Sequence, residues 1–221
     1  MSEGQISEWV RALLSKLREA VGKALEGHAR LAYRLGFRPN HITVLGLLSA
    51  LLAALAFWAW WRCPYAPLLA PLLVLLSGYS DVLDGLVARL HGLESRAGAM
   101  LDSVLDRYAD VAIMIGIWAG GLCGPLTALL AISGSLLVSY TRARAQGLGV
   151  ELGGLGLAER AERLLIIIIA SILTALIWPS ALDCAMLILV FLTHLTAAQR
   201  MAYAFHALRT SEASSASSAS A

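Results

Sequence analysis

Four aspartates stand close together in the stretch DVLDGLVARLHGLESRAGAMLDSVLD, which begins at Asp81 and ends at Asp106. Asp81 and Asp84 are three residues apart, and Asp102 and Asp106 are four apart, so on helices each pair projects from one face. Long apolar runs flank both pairs, and an ionised side chain in a membrane helix is costly, usually faces inwards and is usually functional. The pattern therefore predicts two antiparallel helices that present paired carboxylates to one functional site.

Convergence of these carboxylates requires compensating cations, because like charges at short distance repel one another strongly in a medium of low dielectric constant. Oxygen ligands favour Mg²⁺, Mn²⁺ or Ca²⁺ over Zn²⁺, which prefers histidine and cysteine. Two such ions a few ångströms apart can clamp a phosphoryl group during in-line displacement. The alternative interpretation is that the acids are ordinary surface charges on an exposed connection between helices.

The stretch fits the spacing D-x2-D-G-x2-A-R-x8-G-x3-D-x3-D at every fixed position. This pattern resembles the signature of the CDP-alcohol phosphotransferases, which are membrane enzymes of phospholipid headgroup synthesis. The resemblance implies a six-helix membrane fold, a bound CDP-linked lipid, two divalent cations (Mg or Mn) and release of CMP. It implies metal binding by Asp81, Asp84, Asp102 and Asp106. Because Asp106 lies at the end of the motif, one turn beyond Asp102, we expect it to face the acceptor and to act as the general base. The resemblance also implies CDP-lipid binding by Asp81, Asp84, Gly85, Ala88, Arg89, Gly98 and Asp102.

The stretch RPNHITVLG, which begins at Arg38, is similar to the start of the first membrane helix in the same family. In the family this helix start lies next to the nucleotide, so the resemblance adds Thr43 to the residues expected near the cytidine of the CDP-lipid. Asn40 suits the N-cap position of a helix, and capping alone is its expected role.

The composition is that of a membrane protein: the 221 residues are 58% hydrophobic and 14% charged, and the mean hydropathy is +0.72. The residues from Ile42 to Trp61 carry no charge and are long enough to cross the hydrocarbon core. We predict an all-α integral membrane protein in which residues 39–208 form one domain of six transmembrane helices. The later spans are predicted to begin near Ala66, Ala99, Pro125, Leu164 and Ala181, the last continuing towards Leu208.

Two flanking regions complete the predicted organisation. Within residues 1–38, apolar residues recur at helical spacing from Ile6 to Leu25, with basic residues largely on the opposite face. This pattern predicts a cytoplasmic amphipathic helix at the membrane interface, although a soluble helix docked on a partner has the same periodicity. Residues 209–221 form a low-complexity tail of serine and alanine, which we expect to be disordered.

Basic residues are concentrated on one side of the predicted topology. They occur before the first span and in the second-to-third and fourth-to-fifth connections, whereas the opposite connections contain only Arg62. Because cytoplasmic loops are enriched in lysine and arginine, we expect both termini and the aspartate site on the cytoplasmic side of the cell membrane.

A second group of basic residues follows the fourth predicted span. Guanidinium groups suit bidentate recognition of phosphate, although the positive-inside rule alone would place some arginines here. The motifs S-Y-x-R-A-R-A-x-G-L-G and G-L-x-E-R-x-E-R-L are similar to the corresponding loop of the inositol-phosphate branch of the family, where a basic pocket holds the acceptor phosphate. In bacterial members of this branch, lysine is common at the position of Arg142. The resemblance makes Arg142, Arg144, Arg160, Arg163 and Arg200 the candidates for binding the acceptor phosphate.

The sequence thus predicts an enzyme that transfers a phosphatidyl-type group from CDP-archaeol or CDP-diacylglycerol to a hydroxyl of inositol phosphate. Glycerol phosphate is the alternative acceptor, because it would need a similar pocket. A cation or metabolite transporter is the alternative of another class, and clustering of the acids near one membrane face argues against it. Nucleic acid is not expected as a partner of so apolar a chain. Gly116, Gly120 and Gly124 permit close helix packing, either within one chain or in the homodimer that we expect.

Overall fold

The structure is a computed structural model that describes residues 25–152, 155–156 and 158–219, with side chains up to Thr210. Most of the predicted N-terminal amphipathic helix lies outside the described residues. Residues 25–34 are helical and form α1. The remaining helices are α2 (Pro39–Trp58), α3 (Ala66–Leu90), α4 (Arg96–Ala119), α5 (Pro125–Gly147), α6 (Arg160–Leu176) and α7 (Ala181–Ala219).

All regular secondary structure in the described part of the chain is helical, which confirms the all-α prediction. Four helices are long and apolar enough to cross a membrane, and α4 and α6 are not among them. The first half of α4 carries several charged side chains, and α6 has only 17 residues. The six-span count therefore stays a prediction. The four candidate spans are Pro39–Trp58, Ala66–Leu90, Pro125–Gly147 and Ala181–Thr210.

The outer faces of these helices are apolar, as lipid contact requires. Leu68 in α3, Leu126 in α5 and Phe191 in α7 are each about two-thirds or more exposed. Large apolar side chains are unfavourable in contact with water, so the helix faces that carry them match the hydrocarbon region of a bilayer. The helix α7 continues beyond Leu208, where its end was predicted, to Ala219. The predicted disorder of the tail stays a prediction.

Of the described residues, 25–48 and 77–106 form one compact unit, in which α1 packs against α2 and α3. Ala29, Ile42 and Val87 are buried together at the centre of this packing. The ring of Tyr33 in α1 stacks on that of His91, which follows α3, with 3.7 Å between the ring centroids. These contacts fix the first turns of α2 beside the second half of α3, and both segments carry predicted site residues.

The described residues within 49–76 and 107–219 form the other compact unit, in which α7 packs against both α5 and α6. At Gly134 in α5, an added Cβ atom would lie 2.1 Å from Thr193 Oγ1 of α7, so only glycine permits this spacing. The backbone amide of Leu182 donates a hydrogen bond to Thr174 Oγ1 of α6 at 2.9 Å. Close backbone approach and buried hydroxyl contacts are typical of helices that pack without a hydrophobic driving force.

Two of the three glycines predicted to permit close helix packing are used within the chain. An added Cβ atom at Gly116 would lie 2.5 Å from Ala54 Cα of α2, and one at Gly120 would lie 2.1 Å from the Phe57 carbonyl oxygen. At Gly124 the nearest atom would be Thr127 Oγ1 at 3.6 Å, which is an ordinary contact. The intrachain interpretation is therefore confirmed for Gly116 and Gly120, and the homodimer stays a prediction.

Replacing Gly116 by alanine is expected to destabilise the fold, because the new methyl group would overlap the backbone of α2. Overpacking of this kind costs about 1–3 kcal/mol. The midpoint of thermal unfolding in detergent should fall for Gly116→Ala and change little for the matched variant Gly124→Ala. A change in oligomeric state without a change in midpoint would contradict this assignment and favour a glycine seam between two chains.

Candidate active site

Three of the four motif aspartates form a compact carboxylate group. One carboxylate oxygen each from Asp81 in α3 and from Asp102 and Asp106 in α4 lie within 4.8 Å of one another. All three side chains are half-buried. Helical spacing puts Asp102 and Asp106 on one face of α4, so that both can lie beside Asp81 of α3. The structure thus brings together residues that the motif spacing predicted to converge.

Asp84, the fourth motif aspartate, is buried and is held by a residue of α2. Thr43 Oγ1 donates a hydrogen bond of 2.6 Å to Asp84 Oδ2. The charges of Asp81 and Asp102 also act on the Asp84 carboxyl group. One strong hydrogen bond stabilises the ionised form of a buried carboxylate, which burial alone would penalise. Asp84 is therefore an anchored neighbour of the carboxylate group.

The acids of this first unit lie beside a pocket of about 210 Å³ that opens to the surface. Predicted CDP-lipid residues that line it are Thr43, Asp84, Gly85, Ala88, Arg89, Gly98 and Asp102. Asp81 belongs to the carboxylate group without lining the pocket. The lining also includes Pro39, Asn40, Leu93, Glu94, Ser95 and Ala99.

The first turns of α2 and α4 shape one wall of this pocket. The helix α2 begins at Pro39, so Asn40 lies inside its first turn and its expected role as a cap alone is wrong. Proline suits a first helical position because it has no amide hydrogen to leave unpaired. Ser95 caps α4 instead, since its Oγ accepts a 3.0 Å hydrogen bond from the Gly98 amide. An added Cβ atom at Gly98 would lie 2.9 Å from that Oγ.

The carboxylate group fits one or more hard divalent cations. Three carboxylate oxygens within 4.8 Å of one another match the oxygen ligation that Mg²⁺ and Mn²⁺ prefer. Their half-buried positions leave room for further ligands such as water or phosphate oxygens. Without a cation the same oxygens would repel one another, so the donor set itself argues for one.

The five predicted phosphate-binding arginines all belong to the other compact unit, and two of them meet at one buried aspartate. Asp110 of α4 accepts a hydrogen bond of 3.3 Å from Arg160 Nε, and its second oxygen lies 2.5 Å from Arg163 Nη2. Ser135 Oγ of α5 donates a third hydrogen bond, at 3.2 Å. Arg163 also donates to the Ala158 carbonyl oxygen at 2.6 Å. Arg160 and Arg163 are thus held in fixed positions at the start of α6.

A second acid, Glu159, holds two more of these arginines. The Glu159 Oε1 atom lies 3.2 Å from Arg200 Nη2 and 3.8 Å from Arg142 Nη1. Arg200 also donates hydrogen bonds to the carbonyl oxygens of Leu155, at 2.8 Å, and Val138, at 3.0 Å. The side chain of Arg200 is 3% exposed and that of Arg142 is 54% exposed. Arg144 is also exposed.

Comparison with known proteins identifies the family. Residues 37–207 match the CDP-alcohol phosphatidyltransferase family. The chain belongs to this family. It is 40% identical over 198 residues to the archaetidylinositol phosphate synthase of Methanothermobacter thermautotrophicus, which covers 90% of this chain and 97% of the relative. It is 35% identical over 204 residues to the phosphatidylinositol phosphate synthase of Mycobacteroides abscessus, which covers 88% of this chain and 87% of the relative.

Solved structures show the same relationship for this transferase. It resembles the phosphatidylinositol phosphate synthase of Mycobacterium tuberculosis with CDP-DAG bound, with a TM-score of 0.71 and 28% identity over 83% of this chain and 94% of that chain. The structure of that enzyme with manganese and citrate gives a TM-score of 0.70 over 81% of this chain and 88% of that chain. The transferase is therefore a membrane enzyme of phospholipid biosynthesis, and the transporter alternative is wrong.

Two acids of the transferase that hold arginines had no role in the sequence prediction. Asp110 continues the spacing of Asp102 and Asp106 by four more residues, so it lies on the same helical face. That spacing was a usable signal. Glu159 is part of the second arginine motif, but an acid among arginines in a loop is common enough that the pattern alone did not single it out.

Replacing Gly85 by alanine tests whether a small residue is needed here for ligand binding or for packing of the chain. An added Cβ atom would touch only the Arg89 guanidinium, at 3.4 Å, so α3 itself accepts alanine and gains about 1 kcal/mol of helix propensity. Gly85→Ala should keep or raise the unfolding midpoint while raising the KM for CDP-lipid about tenfold. The matched variant Gly98→Ala should lower both affinity and midpoint, because it disturbs the Ser95 cap. An unchanged KM for Gly85→Ala would show that nothing binds against this residue.

Proposed function

We propose that this transferase moves the phosphatidyl-type group of a CDP-linked lipid to a hydroxyl of inositol phosphate and releases CMP. The observation that carries the proposal is the carboxylate group of Asp81, Asp102 and Asp106 beside a pocket whose lining matches the family motif. The relatives named above are archaetidylinositol and phosphatidylinositol phosphate synthases, which supports an inositol phosphate acceptor. A relative with CDP-DAG bound supports the donor. The donor lipid is CDP-archaeol or CDP-diacylglycerol.

The proposed reaction is an in-line displacement at the lipid-linked phosphorus. The acceptor hydroxyl oxygen forms a bond to this phosphorus, and the bond from phosphorus to the CMP oxygen breaks. CMP leaves with the electron pair, and the hydroxyl proton goes to the Asp106 carboxylate as general base. Asp106 lies with Asp81 and Asp102 in the carboxylate group, whereas one oxygen of the buried Asp84 accepts the hydrogen bond from Thr43. Asp106 lies one helical turn beyond Asp102 on α4, at the end of the motif, and outside the lining of the pocket that is proposed to hold the CDP-lipid.

Two divalent cations, Mg or Mn, are proposed to bind at Asp81, Asp84, Asp102 and Asp106. When bound, they would neutralise the charge that develops on the diphosphate of the donor. A relative solved with manganese supports this assignment. Within the pocket, Arg89 offers a cationic group to the same diphosphate, and Thr43 holds Asp84 in a single orientation.

The proposed acceptor subsite is the arginine group, in which exposure separates two tasks. Arg142 and Arg144 are exposed and can contact a phosphate directly. Arg160 is 13% exposed, and Arg163 and Arg200 are 3% exposed. These three therefore contribute mainly positive electrostatic potential and structural support to the subsite. The net positive charge of the group favours an acceptor that carries a phosphate over free inositol. We also propose that the protein lies in the cell membrane with both termini on the cytoplasmic side, and that it forms a homodimer.

Asp106→Asn should abolish turnover, because asparagine keeps the shape of the side chain but cannot accept the hydroxyl proton. Loss of a general base costs about 10²–10⁴-fold in kcat. Release of CMP from labelled CDP-lipid, with manganese present, measures turnover, and binding of the CDP-lipid should change little. Asp183→Asn, at the start of α7, is the control for loss of one carboxylate. Turnover of Asp106→Asn near that of the unchanged protein would remove Asp106 from this role.

Acceptor choice is tested by direct competition. Inositol phosphate, free inositol and glycerol phosphate are supplied together with each CDP-lipid, and the lipid products are separated and identified. Inositol phosphate should give the dominant product, because free inositol lacks the phosphate that the arginines suit and the relatives named above are inositol phosphate synthases rather than users of glycerol phosphate. A dominant glycerol phosphate product would overturn the acceptor while leaving the family and the donor in place.

A further inference from the structure

The carboxylates of Asp110 and Glu159 have no place in the proposed chemistry, yet each lies between two of the arginines. Asp110 binds Arg160 and Arg163 of α6. Glu159, which precedes α6, binds Arg200 of α7 and lies 3.8 Å from Arg142 of α5. Four of the five proposed phosphate-binding arginines are thus arranged as two acid-centred pairs.

Asp110 shows the features of a fixed support. Its side chain is 5% exposed, and both of its oxygens are engaged by guanidinium groups. The Ser135 hydroxyl of α5 adds a hydrogen bond to the oxygen that binds Arg163. A buried carboxylate with three hydrogen bonds on two oxygens has little freedom to rotate. Since Arg160 and Arg163 share it, the same side chain sets the position of both guanidinium groups.

Glu159 connects the second pair with the first. The Arg200 guanidinium donates hydrogen bonds from Nε to the Leu155 carbonyl oxygen, from Nη1 to the Val138 carbonyl oxygen and from Nη2 to Glu159 Oε1. The charges of both Arg142 and Arg163 act on Arg200, so the two pairs belong to one electrostatic group. Mutual repulsion among these cations would spread them apart without the acids between them.

The charge balance of this group suits a phosphate monoester. Four guanidinium groups and two carboxylates leave a net charge of +2. A phosphate monoester carries a charge of about −1.5 to −2 at neutral pH. Partial neutralisation therefore allows four arginines to stay close together and still leaves the charge that one phosphate group can compensate.

We propose that Asp110 and Glu159 are positioning residues for the acceptor: they hold the exposed Arg142, which contacts its phosphate group, and the buried Arg160, Arg163 and Arg200, whose charges attract it. The inference rests on the proposed function, because it requires an acceptor that carries a phosphate. Neither acid touches the substrate, and both act through the arginines. Removing either acid should weaken acceptor binding selectively.

Steady-state kinetics of the full-length protein in detergent, with manganese present, test the proposal. For Asp110→Asn and for Glu159→Gln, the KM for inositol phosphate should rise about tenfold or more, which is the loss of one charge-assisted interaction. The KM for CDP-lipid should stay within about twofold of the unchanged value. The matched control is Glu162→Gln, which removes an exposed acid from the first turn of α6 and should change neither KM value.

A purely structural role would give a different result. Loss of Asp110 leaves two guanidinium groups without their buried partner, so Asp110→Asn can also reduce folding yield. Glu159 is 31% exposed, and its replacement disturbs burial less. Inorganic phosphate, added as an inhibitor competing with inositol phosphate, gives a second measurement. Its inhibition constant should rise in Glu159→Gln by the same factor as the KM.

The outcomes separate the two proposals. If the unchanged protein does not use inositol phosphate, the proposed acceptor is wrong, whatever the variants do. If it uses inositol phosphate and Glu159→Gln keeps the original KM and phosphate inhibition, the positioning role is wrong and the acceptor stands. A fall in kcat alone, with both KM values unchanged, would also overturn the positioning role.

Discussion

Repulsion between carboxylates is the constraint on which this structure depends. Asp81, Asp102 and Asp106 present oxygens within 4.8 Å of one another on helices whose other faces are apolar. In such surroundings the repulsion is weakly screened, so the arrangement costs free energy unless cations or hydrogen bonds offset it. The buried Asp84 is stabilised in the second way, by the Thr43 hydroxyl. For the other three, a bound cation would offset the repulsion, and the proposed metal site would then also stabilise the packing of α3 beside α4.

In the arginine group the repulsion is between positive charges, and partners within the same chain offset it. Buried guanidinium groups are costly without partners, and here two acids and several backbone carbonyl oxygens supply those partners. The aspartates therefore leave an excess of negative charge for a cation, and the arginines leave an excess of positive charge for an anion. Each excess defines the kind of ligand that its group of residues can accept.

The sequence predicted the helical class, the convergence of the aspartates and most of the pocket lining, because fixed spacing on a helix determines which side chains share a face. It did not predict how Asp84 differs from its neighbours, since Thr43 is far away in the sequence and only packing of α2 beside α3 brings them together. Asn40 was assigned to a cap because the start of α2 at Pro39 cannot be fixed to one residue from sequence. Burial of Arg163 and Arg200 could not be predicted either, because the sequence does not show whether an arginine near a helix end is paired with water or with a buried acid such as Asp110.

Arg200 illustrates what such burial means for substitution studies. Its three nitrogens tie α7 to a carbonyl oxygen of α5, to the loop before α6 and to Glu159. A lysine in its place could satisfy one or two of these acceptors but lacks the planar fork that reaches all three. Alanine substitutions of the arginines would therefore differ in effect chiefly according to how many chain segments each arginine connects. The most damaging substitution would identify a residue that holds helices together, and not necessarily one that contacts the ligand.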